Sequence, residues 1–295
     1  METKNLNVLD IIGHTPLIKI EGIYAKLETT NPSGSVKDRM AWHIVKKAEK
    51  NGDLKPGQKI IEVTSGNTGI ALAMISSIKG YKFTAVMAET VNNERRKMMA
   101  SFGAKIILTP RKEDVAGAVK KYEKLVKRNR DAWLPKQFEN IDNIIAHREG
   151  LGKEIIKEMD GKIDAFVAGA GTGGTIIGVA QALKKNNLKT KIIVVEPAES
   201  DVLSGGKAGL HKIQGIGEGF IPKILRDHLH LIDAVIKVKS RDAIAMSEKL
   251  AREHGLLVGV SSGANLWAAK QISKKYKRIV TIFPDRGERY LSTKK

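Results

Sequence analysis

The sequence predicts an α/β fold with a mostly parallel sheet flanked by helices, and three observations carry that expectation. Short Ile- and Val-rich runs at 59–63, 82–87, 105–108, 165–168, 191–195 and 278–283 read as strands. Segments with apolar residues at helical spacing separate them, at 40–50, 70–78, 94–102, 115–128, 176–184 and 243–254. Two turns of small residues stand where a strand run gives way to a helical pattern, at 64–69 and 169–175. A strand followed by a crossover helix returns to pair in parallel, and its sheet is covered on both faces.

Taken in order, Ile12-Gly13-His14-Thr15-Pro16-Leu17 is a turn, and 23–27 is a strand. Next comes Asn31-Pro32-Ser33-Gly34-Ser35-Val36-Lys37-Asp38-Arg39, a Pro/Gly turn that runs into the first amphipathic helix. Lys37 opens that helix. An amine held near the N–H-rich end of a helix is disfavoured as ammonium, which suits Schiff-base chemistry. A surface lysine at a helix start is the plain alternative. The remaining strands and helices then alternate to the C-terminus, with no internal repeat, low-complexity tract or linker.

Composition bounds the function. A chain of 295 residues buries a large core, as one big or two medium α/β domains. It contains no apolar run of membrane-spanning length and starts with no signal-peptide pattern, so a cytoplasmic protein with no membrane partner is expected. Without cysteine there is no disulfide, no thiolate metal site and no catalytic thiol. The formal charge is +19, yet the lysine pairs Lys46-Lys47, Lys120-Lys121, Lys184-Lys185 and Lys274-Lys275 each stand near the end of a helical pattern. Solvated helix ends, rather than a nucleic-acid face, are the expectation.

Two small-residue turns carry the chemistry. In Thr64-Ser65-Gly66-Asn67-Thr68-Gly69 the backbone N–H groups at a helix start can converge on an anion such as a carboxylate, with hydroxyls adding donors. A simple N-capped turn explains the glycines but not the Asn between hydroxyl residues. In Gly169-Ala170-Gly171-Thr172-Gly173-Gly174-Thr175 four glycines permit close approach to a phosphate. The same run matches the dinucleotide fingerprint, and Glu196 stands where a ribose-binding acid belongs, so a nicotinamide-dependent dehydrogenase competes. Thr172 and Thr175 suit a terminal phosphate better.

Pyridoxal 5'-phosphate joins these stretches, because it needs a lysine, a phosphate cradle, a partner for its ring nitrogen and a nearby carboxylate site. Ser261, in Gly259-Val260-Ser261-Ser262-Gly263, is the candidate for the ring nitrogen, although Ser-Ser-Gly is also a common helix cap.

With these residues in view, the chain resembles the fold-type II pyridoxal-phosphate enzymes, and among them the cysteine synthases (O-acetylserine sulfhydrylases). The resemblance runs through Gly13-His14-Thr15-Pro16-Leu17, the Lys37 segment, 64–69, Glu94-Arg95-Arg96-Lys97, Gln137-Phe138, 171–175 and Lys212-Ile213-Gln214-Gly215-Ile216-Gly217. It ends at Gly287-Glu288-Arg289-Tyr290-Leu291-Ser292. It implies a tryptophan synthase β-like architecture of two domains. A small mobile domain at 30–135 would receive the substrate carboxylate, and a large one at 1–29 and 136–295 would bind the cofactor phosphate. It implies that Lys37 carries the cofactor as a Schiff base and acts as general base. Asn67 would bond the ring hydroxyl, Gly171, Thr172, Gly173, Gly174 and Thr175 the phosphate, and Ser261 would face the ring nitrogen. Thr64, Ser65, Gly66, Thr68, Gln137 and Gly217 would take the substrate; no metal is involved. The implied reaction makes L-cysteine from an O-activated serine and sulfide by way of an α-aminoacrylate, in a homodimer that a serine acetyltransferase can join.

Two departures bear on the substrate. Asp285-Arg286 precede Gly287 where many cysteine synthases have two serines, and Glu218 lies in the turn Gly217-Glu218-Gly219 at a position that is often small. O-phosphoserine sulfhydrylase, cystathionine β-synthase and cysteine-degrading lyase therefore stay open on the same fold, and a basic binding module without catalysis is the remaining class.

Overall fold

The computed structural model describes residues 6–64, 66–186 and 189–293. The strands are β1 (Leu17–Ile20), β2 (Ile23–Leu27), β3 (Lys59–Val63), β4 (Lys82–Ala88), β5 (Lys105–Thr109), β6 (Ala165–Gly169), β7 (Lys191–Pro197), β8 (Ala234–Val238) and β9 (Ile279–Phe283). The α-helices are α1 (Lys37–Asn51), α2 (Asn67–Lys79), α3 (Asn93–Ser101), α4 (Asp114–Arg128), α5 (Asp142–Ala146), α6 (Lys153–Glu158), α7 (Gly174–Lys185), α8 (Lys223–Arg226), α9 (Ser240–His254) and α10 (Val260–Gln271). The fold is α/β.

The chain falls into two compact units, one of Met1–Ile12, Lys37–Lys136 and Arg289–Lys295, the other of Gly13–Val36 and Gln137–Glu288. The first is built on the parallel sheet β3-β4-β5. Alternate strand residues face opposite sides. Ile60, Phe83, Ala85 and Met87 pack with Ala41 and Val45 of α1 and Ile70 and Met74 of α2. Ile61 and Val86 pack with Ala118 of α4.

The second unit holds a six-stranded sheet of order β1-β2-β9-β6-β7-β8, parallel except for the β1–β2 pair. Its middle strands bury both faces. Phe166, Ala168, Ile192, Val194, Val280 and Ile282 join one core with α7, while Ala165, Val167, Ile193, Val195, Ile279 and Phe283 join another with α9 and α10. That two-sided burial explains the unbroken apolar runs of the sequence.

Three features depart from the sequence reading. The expected turn through Leu17 continues into β1, which pairs antiparallel with β2 through a reversal at Glu21 (φ 48) and Gly22 (φ 86). The edge strand β8 has an exposed Ala234 and Lys237, so its apolar run is too interrupted to stand out. Residues 142–158 are helical, with a π-helical stretch at His147–Gly152 that breaks the usual periodicity.

The cations are also less scattered than their sequence positions suggest. Lys162, Lys189, Lys191, Lys275, Lys277 and Arg278 line a cleft of about 490 Å³ in the second unit, where Arg278 pairs with Asp164 and Lys191 with Asp233.

Candidate active site

In the second unit the chain leaves β6 at Gly169, forms the glycine loop and enters α7, whose first turn is buried. Gly174 is required by close approach: a Cβ there would lie 2.0 Å from Oδ1 of Asn143. Asn143, on α5, donates through Nδ2 to the carbonyl of Gln137 at 2.8 Å and to the hydroxyl of Thr172 at 3.0 Å. Thr172 accepts also from the backbone N–H of Gly174 at 3.3 Å. With both lone pairs engaged, its O–H proton is the group left to donate. Thr175 pairs with Nε2 of His147, in the π-helical turn, at 3.3 Å. Thr172 and Thr175 are both buried, beside the N–H groups of a helix start.

A second loop closes on the first. Gly217 donates its N–H to the carbonyl of Ala170 at 3.1 Å, and His211 holds the carbonyl of Gly217 through Nε2 at 2.8 Å. A Cβ on Gly171 would lie 2.5 Å from the carbonyl oxygen of Gly215 and 3.5 Å from Oε1 of Glu218. The Glu218 carboxylate is therefore turned toward the glycine loop. Ser261 is buried in the first turn of α10, and Asn265, on the same helix face four residues later, accepts the N–H of Gly169 at 2.8 Å. This unit thus gathers Gln137, the 171–175 loop, Gly217 and Ser261.

The segment that leads to Lys37 is braced by the residues that depart from the usual pattern. Val36 donates to the carbonyl of Pro284 at 2.8 Å, Ser35 forms a β-bridge with Asp285, and Arg286 donates to the carbonyls of Gly34 and Thr29. The same strap continues to the start of α10, where Gly259 donates to Asp285 and Gly287 to Leu257.

In the first unit Lys37 is the first residue of α1 and half-buried. Thr64, buried at the end of β3, accepts the N–H of Gly69 at 3.1 Å through Oγ1. Asn67 opens α2 after Gly66, and Thr68 is buried behind it. Ser65 lies outside the described residues. In the sequence the 94–97 and 287–292 motifs carry the resemblance without a role for either. The structure joins them: Glu94 accepts from the N–H and hydroxyl of Ser292 at 2.7 Å each, Arg95 lies 4.8 Å over the Tyr290 ring, and Arg289 donates to Asn67. The Ser292 hydroxyl is the main reason the Glu94 carboxyl sits below its ordinary range.

Glu196 has another task than ribose binding. Its carboxylate accepts from the N–H of Leu203 at 3.0 Å and from the hydroxyl of Ser204, bracing the turn that follows β7.

The sequence profile of the family described as "Pyridoxal-phosphate dependent enzyme" matches residues 8–285. The chain belongs to the pyridoxal-phosphate dependent enzyme family. It is 46% identical to the cysteine synthase of Staphylococcus aureus (strain Mu50) over 299 aligned positions, covering 97% of this chain and 96% of that one. Among solved structures it resembles the cysteine synthase (OASS) of Entamoeba histolytica, with a TM-score of 0.94 and 41% identity over 99% of this chain and 90% of that one. The O-acetylserine dependent cystathionine β-synthase of Helicobacter pylori gives a TM-score of 0.91 and 39% identity over 99% and 98%. The residues present fit the family's cofactor: the loop ahead of α7 offers the backbone N–H groups of a helix start and the buried Thr172 hydroxyl, the donor set a phosphate monoester needs.

Proposed function

We propose that this chain is a β-replacement enzyme that makes L-cysteine from an O-activated serine, foremost O-acetylserine, and sulfide. The observation that carries the reading is the end-to-end likeness to the Staphylococcus aureus cysteine synthase, 46% identical across 97% of the chain. The cradle ahead of α7 supports it.

Bound pyridoxal phosphate supplies the electron sink that makes the α-proton acidic and the β-substituent labile. The chain's own residues do the rest. Gly171, Thr172, Gly173, Gly174 and Thr175 would hold the phosphate, Asn67 would donate to the ring oxygen, and Ser261 would face the ring nitrogen. Lys37 would hold the aldehyde, and its Nζ, when free, would take the substrate's α-proton and later return it. Thr64, Ser65, Gly66, Thr68, Gln137 and Gly217 take the substrate, chiefly at its carboxylate. Segment 30–135, all but its first seven residues in the unit built on β3-β4-β5, serves as the mobile domain, since a ligand shifts a conformational equilibrium only by binding one state more tightly than the other, and carboxylate capture at 64–69 supplies that difference. The same proposal places the enzyme in the cytoplasm as a homodimer, with serine acetyltransferase as a partner.

A second nucleophile is favoured by one observation, the likeness to an enzyme that is an O-acetylserine dependent cystathionine β-synthase. Assaying O-acetylserine, O-phosphoserine, serine and cysteine side by side, each with sulfide or homocysteine, separates the readings. The proposal expects O-acetylserine with sulfide to be fastest. Faster condensation with homocysteine, or faster breakdown of cysteine, contradicts it.

A further inference from the structure

Arg289 is 2% exposed, and its Nη1 donates to the side-chain oxygen of Asn67. Its backbone carbonyl accepts Nδ2 of Asn92 at 2.7 Å. With the Arg95–Tyr290 stack and the two Glu94–Ser292 bonds, these contacts hold residues 289–292 against the starts of α2 and α3. A buried guanidinium is costly to desolvate, so its hydrogen bonds matter.

We propose that Arg289 is a positioning residue that fixes Asn67 as a hydrogen-bond donor toward the ring oxygen of the cofactor; this rests on the reading of Asn67 given above. A side-chain amide has an acceptor at one end and donors at the other, and a half-turn about its last bond exchanges them at little steric cost. Arginine carries five donors and no acceptor, so it selects the oxygen end. With Oδ1 held, Nδ2 is directed away from Arg289. Charge-assisted donation also polarises the amide and strengthens its own N–H groups as donors. A donor aimed at the ring oxygen favours its anionic form, so the geometry at Arg289 sets the absorption of the bound cofactor.

The test uses Arg289→Met, Arg289→Lys, Asn67→Ala and the Asn67→Ala/Arg289→Met pair, each loaded with pyridoxal phosphate. Visible absorption is recorded against pH, and cofactor affinity is measured by dialysis. Arg289→Met is expected to move the visible band and to weaken cofactor binding about tenfold. Arg289→Lys, which keeps one charged donor, should fall between it and the parent protein, and carries the test if Arg289→Met does not fold. The double variant should shift the band no further than Asn67→Ala alone. Ser292→Ala, which loosens the same turn through Glu94, should lower the thermal midpoint without moving the band. If Asn67→Ala moves the band and the Arg289 variants do not, Arg289 is only structural and the inference falls while the Asn67 reading stands. If Asn67→Ala leaves the band unmoved, the Asn67 reading falls and takes the inference with it.

Discussion

The side-chain oxygen of Asn265 accepts the backbone N–H of Gly169 at 2.8 Å, which ties α10 to the strand end where the glycine loop begins. The Asn265 amide nitrogen donates in turn to Ile282 at 3.0 Å, so its orientation is set from both ends. Ser261, one helical turn earlier on the same face, is thereby placed on the side of α10 that meets the loop.

If Ser261 faces the ring nitrogen as proposed, its hydroxyl would donate to an unprotonated nitrogen, whereas an aspartate would keep the nitrogen protonated and make the ring a deeper electron sink. A weaker sink passes charge promptly to the β-leaving group. Ser261→Asp should therefore retain cofactor but lose β-replacement on the order of a hundredfold, while Ser261→Ala loses roughly fivefold. Steady-state rates with cofactor content measured in parallel check this. Full activity in Ser261→Asp would reduce Ser261 to a helix-start residue.

Glu218 points its carboxylate at the glycine loop, 3.5 Å from where a Gly171 side chain would begin. A negative charge there repels the dianionic phosphate of O-phosphoserine more than neutral acetate esters. Glu218→Ala should raise the ratio of O-phosphoserine to O-acetylserine use roughly tenfold. An unchanged kcat/KM ratio would remove Glu218 from donor selection.

Glu21, in the β1–β2 reversal, is gripped by Lys249 at 2.7 Å, by Lys270, and by His254 at 3.3 Å. The Lys249 bond foremost, with Lys270 and His254, lowers its carboxyl from 4.5 to about 2. A depressed folded-state value means that the stabilisation is complete above the unfolded-state value and is lost as pH falls through the folded one. Glu21→Gln should thus cost about 1 kcal/mol at neutral pH, less in high salt, with the difference shrinking below pH 4.5 and gone near pH 2. Urea unfolding of both proteins across that range measures it. A difference that does not change with pH would rule out the ion pairs as its source.

Much of this was legible in the chain itself. The doubly covered strands announce themselves because Phe166, Val167, Ile192 and Ile193 all lie in cores, and the 171–175 loop announces itself by glycines at positions where a side chain would collide with Gly215, Leu225 or Asn143. The supporting residues were not legible. Asn143 and His147 sit in a helical stretch whose π-turn has no simple periodicity, and their partners Thr172 and Thr175 are nearly 30 residues away. Arg289 reads as one charge in a C-terminal motif until the fold sets it on Asn67, 222 residues earlier. Asp285 and Arg286 read as departures that cast doubt on the substrate, whereas the structure shows them bracing the segment ahead of Lys37.

The central claim is that Lys37 holds the cofactor. The measurement that meets it most directly is borohydride reduction of the protein loaded with pyridoxal phosphate, followed by digestion and mass analysis of the labelled peptide. The label is expected on the peptide containing Lys37, and Lys37→Ala is expected to fold, to bind the cofactor without covalent attachment and to have no β-replacement activity. A label on any other lysine, or normal turnover by Lys37→Ala, would contradict it.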